Sequence, residues 1–101
     1  MANIGIIAKL TALPGKRDEL VAALGMALDN AEGEEGTLRY ILHTDAKNED
    51  LVWFYEQYTD AAALAAHGAS DGMKALGAAV APFVAGRPEL TTVNVVGGKG
   101  V

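Results

Sequence analysis

The chain has 101 residues, half of them apolar, and a formal net charge of −5. That length suits one domain and leaves no room for two, and the eight scattered Lys and Arg exclude a phosphate-tracking nucleic-acid surface and disfavour an anionic membrane. The lack of cysteine removes disulfides, thiolate nucleophiles and Cys-held metals.

Ile4-Gly5-Ile6-Ile7-Ala8-Lys9-Leu10 is short, β-branched and partly alternating, and predicts a strand. It lacks the basic flank and small-residue cleavage site of a signal peptide, and no apolar run in the chain approaches the ~20 residues of a membrane span. The expectation is a soluble cytoplasmic protein. Pro14-Gly15 marks a turn, and Asp18 and Glu19 then stand where a helix N-terminus favours negative charge. Leu20, Leu24, Ala27, Leu28 and Ala31 follow on one helical stripe, with Gly33 as the stop. After Glu34-Glu35-Gly36, the stretch Leu38 to His43 reads as a strand, with Leu38, Tyr40 and Leu42 on one face and Arg39, Ile41 and His43 on the other. A polar hairpin loop, Asp45 to Asp50, leads into the strand Leu51 to Tyr58, whose aromatic content suits a central position.

Asp60 is placed to cap a second helical region, which Gly68, Ser70 and Gly72 split in two, with Ser70 capping the second piece. Met73, Leu76, Val80 and Phe83 mark its buried stripe, and Gly86 and Pro88 close it. Leu90 to Val96 supplies the last strand, and Gly97-Gly98-Lys99-Gly100-Val101 reads as a flexible tail, so 1–101 is one domain with its core over about residues 4–96. The order strand, helix, strand, strand, helix, strand is a split βαβ. The fold class is therefore α+β, ferredoxin-like, with an antiparallel sheet in spatial order 4-1-3-2. Helices cover only one face of such a sheet. Val52 and Phe54 alternate with Trp53 and Tyr55, so both faces are apolar, and the uncovered one predicts a homodimer paired through its sheets.

Few polar groups interrupt the apolar segments. His67 follows Leu64 by three positions and faces the sheet, as a hydrogen-bonded core histidine or as a functional group. Glu56 lies in an aromatic strand, where a carboxylate needs a partner; Arg39 on the neighbouring strand or a residue of a second subunit would serve. Tyr40, Tyr55, Tyr58 and Trp53 are core aromatics or pocket walls. The acidic pairs Asp18-Glu19, Glu34-Glu35 and Glu49-Asp50 fall at turns or helix starts, where solvent is the expected environment. Pro14-Gly15-Lys16 lacks the preceding glycine of a phosphate loop, and Gly97-Gly98-Lys99-Gly100 has no helix after it. Two distant histidines make no metal centre, and Ser70 lacks the neighbours of a hydrolase nucleophile.

Pro14-Gly15-Lys16, Glu35-Gly36-x-x-x-Tyr40, Tyr55-Glu56-Gln57-Tyr58-x-Asp60, Leu64-x-x-His67 and Ser70-x-x-Met73-Lys74 together resemble the antibiotic biosynthesis monooxygenase family, in its small quinol-monooxygenase-like branch. The likeness runs from Ile4 to about Val96. It implies a homodimeric α+β barrel with a cavity between each sheet and its own helices, where a small aromatic or hydrophobic molecule is oxidised by dioxygen without metal, flavin or other cofactor. Triplet oxygen reacts slowly with closed-shell molecules, so the substrate must donate the electron, as a deprotonated phenol or hydroquinone can; the protein supplies a base, an apolar pocket and a hydrogen-bond donor. The resemblance assigns His67 the base or donor role, with Tyr58 orienting the ring and Glu56 as the strand carboxylate. Trp53, Tyr40, Met73 and Leu76 would then bind the substrate. Gly72 replaces a larger residue of many relatives, which predicts a wider pocket mouth. The triad of the haem-degrading branch would draw on Asn3 and His67, but Trp53 lies too early in the chain to complete it. An isomerase, or a non-catalytic stress-type barrel with its cavity filled by Trp53, Met73 and Phe83, are the other readings of such a scaffold.

Overall fold

The structure, a computed structural model, describes residues 3–101. Its elements are β1 (Ile4–Thr11), α1 (Arg17–Glu32), β2 (Thr37–Thr44), β3 (Leu51–Tyr58), α2 (Ala61–Gly68), α3 (Asp71–Val80) and β4 (Glu89–Asn94). The strands form one antiparallel sheet in the order β2-β3-β1-β4, which is the order expected from the split βαβ. No helix among the described residues is long and apolar enough to cross a membrane.

Helix boundaries follow local chemistry. The Asp60 carboxylate accepts from the Ala63 N–H at 2.8 Å, and the Ser70 hydroxyl accepts from the Met73 N–H at 3.1 Å, so each short helix begins on its own cap. α1 buries Leu20, Leu24, Ala27 and Ala31 and directs that stripe at Ile6, Ala8 and Leu10 of β1 and Val52 and Phe54 of β3. α3 ends at Val80, three residues before Phe83. Phe83 sits instead in the turn that follows, where its carbonyl accepts from the Leu13 N–H at 2.9 Å and ties the end of the helical layer to the end of β1.

Two strand expectations change. Thr37 pairs with Tyr58 while Arg39 pairs with Gln57, so Leu38 is the extra residue of a β-bulge. It is 45% exposed and does not join Tyr40 and Leu42 under the helices, because a bulge breaks the two-residue alternation. The last strand stops at Asn94. One further backbone bond joins Val95 to Asn3, and beyond it Arg39 donates to the Gly100 carbonyl, so the terminal residues reach as far as β2.

The face away from the helices carries Ile7 and Ile41, both exposed, together with half-buried Trp53 and Tyr55. Trp53 is fixed there by its Nε1–H, which donates to Asp45 Oδ1 at 2.9 Å, and Lys9 Nζ lies 6.0 Å from its ring centre. Asp45 also accepts from the Asn48 and Lys47 backbone N–H groups at 2.8 and 3.0 Å. These bonds, the Asn48 one foremost and then Trp53's, hold its carboxyl below the ordinary value and order the hairpin.

Candidate functional site

Between the sheet and the pair α2/α3 lies a predominantly apolar cavity of about 280 Å³, walled by Ile6, Ala8, Leu10 and Phe54 from the strands and by Leu64, Met73 and Leu76 from the helices. Its polar lining consists of Tyr40, Glu56 and His67. Strand alternation explains two of them. Tyr40 and Glu56 are directly paired across β2 and β3, so both side chains project to the helix-covered side, beside Phe54, whose ring centre is 4.7 Å from that of Tyr40. His67 arrives from the last turn of α2. Its ring is 5.2 Å from Tyr40 and 5.3 Å from Tyr58, and the residue is 7% exposed.

Glu56 is as buried as His67. Arg39 is not its partner: the hairpin register pairs Arg39 with Gln57, on the opposite face, and its guanidinium donates to Gln57 Oε1 at 2.9 Å. The Glu56 carboxyl instead accepts a 2.6 Å hydrogen bond from the Tyr58 hydroxyl. Burial raises the Glu56 pKa, and the nearby Glu34 charge adds to that rise, while the Tyr58 bond and His67 offset part of it. Burial also pushes both phenols upward, reinforced in Tyr58 by its bond to Glu56 and in Tyr40 by the charges of Glu56 and Glu34. The tyrosines therefore stay protonated near neutrality and serve as donors. Proton acceptance falls to His67 or Glu56.

His67 Nδ1 is 2.8 Å from Glu34 Oε1, and that same oxygen accepts from the Thr37 hydroxyl at 2.8 Å. Glu34, expected in solvent, is thus drawn into the site. The cause is Gly36: a Cβ there would stand 2.5 Å from Ala63 Cβ, so only glycine allows α2 to settle onto the α1–β2 turn and bring His67 against Glu34. A second hollow, lined by Glu34, Thr37, Ala63 and Ser70, lies on the outer side of His67, which makes the imidazole the partition between that groove and the apolar cavity.

Of the residues expected at the site, Tyr40, Glu56, His67, Met73 and Leu76 line one cavity. Tyr58 sits fully buried behind that wall, its hydroxyl turned to Glu56. Trp53 stands on the other face of the sheet with Ile7, His43 and Tyr55, and Asn3 precedes β1 rather than lining the cavity. The space that Gly72 leaves is taken by the Asn30 carboxamide, whose nitrogen would lie 2.6 Å from a Cβ at that position, so the absence of a side chain there is filled from α1. No cluster of His, Asp or Glu among the described residues has the form of a metal site. Sequence reasoning missed Glu34, for which the available signal was the Glu-x-Gly-Thr run ahead of the strand. It also missed Leu64, Gly68 and Leu90 as cavity walls.

Residues 3–79 match the family described as Antibiotic biosynthesis monooxygenase. A candidate antibiotic biosynthesis monooxygenase from Caulobacter crescentus is 33% identical, superposes with a TM-score of 0.87, and the match covers 95% of this chain and 92% of that one. A second such candidate, from Chloroflexus aurantiacus, is 28% identical with a TM-score of 0.81, over 97% of each chain. A protein from Pseudomonas aeruginosa shares the fold at 24% identity and a TM-score of 0.86, over 96% of this chain and 97% of that one. No curated protein matches the chain.

Proposed function

The chain belongs to the antibiotic biosynthesis monooxygenase family, and we propose that it oxidises a small quinol or fused-ring phenol with dioxygen in the cavity between its sheet and α2/α3. The observation that carries this reading is a buried imidazole set into the wall of an otherwise apolar cavity, with Nδ1 anchored on Glu34. A cavity of roughly 150 Å³ lined by aliphatic side chains admits a benzene ring, so the ~280 Å³ here suits two fused rings. His67 takes the hydroxyl proton, and the resulting electron-rich oxyanion is the electron donor that triplet oxygen requires. The Tyr40 hydroxyl, held protonated by burial, is the donor that steadies the developing charge. The apolar walls exclude water from the reduced oxygen intermediate.

Trp53, one of the side chains that would fill this space in a closed barrel, lies on the other face and leaves the cavity open to a small molecule. The buried His67 with its Glu34 partner is what favours a catalytic role over simple ligand holding. The exposed face bearing Ile7 and Ile41 is the surface we assign to a second copy of the chain. The test is oxygen uptake with a panel of hydroquinones and anthrones, wild type against His67→Ala. Consumption that collapses in the variant is the expected result. A wild type that consumes no oxygen with any of them overturns the oxygenase reading, and a variant as fast as wild type removes His67 from it.

A further inference from the structure

We propose that Glu34 is a positioning residue that fixes the His67 tautomer, holding the ring proton on Nδ1 and leaving the Nε2 lone pair as the base of the cavity. This deepens the oxygenase reading and rests on it. A neutral imidazole carries one N–H, and an ionised carboxylate can only accept. With Nδ1 at 2.8 Å from Glu34 Oε1, the proton must sit between those two atoms, and Nε2 is left without a partner among the described residues. Glu34 is itself held: the Thr37 hydroxyl donates to the same oxygen at 2.8 Å. The His67 backbone is held as well, through the Ser70 hydroxyl, which donates to its carbonyl at 2.8 Å.

The remaining groups around the ring do not compete for this role. β2 presents Tyr40 and β3 presents Tyr58, both in ring contact with His67, and Tyr58 has committed its proton to Glu56. Glu56 acts on His67 through space, and α3 contributes the apolar Met73 and Leu76 to this side. In the step proposed, the substrate O–H bond breaks, an Nε2–H bond forms, and the electron pair stays on the substrate oxygen. The imidazolium so produced keeps its 2.8 Å bond to the Glu34 carboxylate, which offsets the cost of a charge in an apolar site.

The test reads the tautomer directly, by long-range ¹H–¹⁵N correlation of the imidazole in labelled wild type, Glu34→Met and Glu34→Asp. Wild type is expected to show the Nδ1–H form. Glu34→Met keeps the length of the side chain but removes the acceptor at Nδ1, so the Nε2–H form should appear, kcat for quinol oxidation should fall by about 10²-fold, and KM should stay within about twofold. Glu34→Asp keeps the acceptor and should retain the Nδ1–H form with part of the lost kcat restored. An unchanged tautomer in Glu34→Met, or a loss carried by KM instead of kcat, overturns the proposal. If wild type turns over no quinol, the oxygenase reading fails, and the tautomer measurement still decides whether Glu34 sets the ring.

Discussion

The seat of α2 on the α1–β2 turn gives the sharpest structural prediction. In Gly36→Ala the new methyl would lie 2.5 Å from Ala63 Cβ and 3.5 Å from both Ala63 Cα and Thr59 Oγ1. The closest neighbour is a Cβ fixed to a helix backbone, so relief requires α2 to move. Overpacking of this kind costs about 1–3 kcal/mol. Gly36 has no positive φ, so the substitution introduces no strained backbone, and the stiffer unfolded chain returns about 0.4–1 kcal/mol. The two ranges leave a net loss centred on about 1.3 kcal/mol, which for a domain of this size lowers the melting temperature by about 5–10 °C. His67 is one turn beyond Ala63, so the same displacement stretches the His67–Glu34 bond. Thermal unfolding of Gly36→Ala, Ala63→Gly and the double variant checks the cause. Ala63→Gly alone loses about 1 kcal/mol of helix propensity, but in the double variant the clash is gone and the two losses should fall short of their sum by about 1 kcal/mol. Additive losses, or a Gly36→Ala protein as stable as wild type, would refute the close-approach argument.

Glu56→Gln keeps an acceptor for the Tyr58 hydroxyl and removes a buried charge. Because the folded Glu56 pKa lies above its ordinary value, its stabilising protonated state is fully present at low pH and is lost as pH rises. The variant should therefore melt above wild type near neutrality, with the gap closing toward about pH 4; a gap independent of pH would count against the buried-carboxylate account. Ile41→Lys places a charge on the exposed sheet face without touching the cavity, and sedimentation should find the wild type dimeric and the variant shifted to monomer at micromolar concentration. A monomeric wild type removes the dimer proposal. Leu64→Trp fills the cavity from α2 and should raise KM for a two-ring quinol more than for a one-ring one, measured by oxygen uptake; equal effects on both would place the substrate elsewhere.

Most of the architecture was legible because it is written in short-range rules. Asp60 and Ser70 are caps whose side chains do what such residues do before a helical run, and the two-residue alternation of β3 separated Val52, Phe54, Glu56 and Tyr58 from Trp53 and Tyr55. The bulge at Leu38 carries no such local mark, since nothing in Thr37-Leu38-Arg39 demands an unpaired residue. Arg39 is lost as the partner of Glu56 for another reason: the hairpin register, unbroken from Thr44 opposite Val52 to Arg39 opposite Gln57, sets Tyr40 across from Glu56. The site was half legible for a related reason. His67 and Glu56 stand out as polar groups in apolar segments, whereas Glu34 lies in an acidic turn and looks solvated. Its burial depends on a contact between Gly36 and Ala63, residues far apart in sequence, and pairwise packing of that kind has no periodicity to read.

The same physics explains why the polar cluster sits where it does. A buried carboxyl such as Glu56 works against stability, and an all-apolar cavity wall would hold the fold at least as well. Glu56, Tyr58, Tyr40, His67 and Glu34 nevertheless converge from four segments of the chain, β2, β3, α2 and the α1–β2 turn, into one polar cluster at His67. Two of those segments are locked together only because residue 36 has no side chain. The fold's requirement and the site's requirement thus meet at Gly36: it is the residue that permits α2 to pack, and through that packing it sets the 2.8 Å contact on which the proposed base depends. For that reason Gly36→Ala should lower kcat with little effect on KM even at temperatures where the variant is fully folded, which oxygen uptake well below its melting point would measure. An intact kcat in a destabilised Gly36→Ala protein would separate the two requirements and show that α2 can move without carrying His67 away from Glu34.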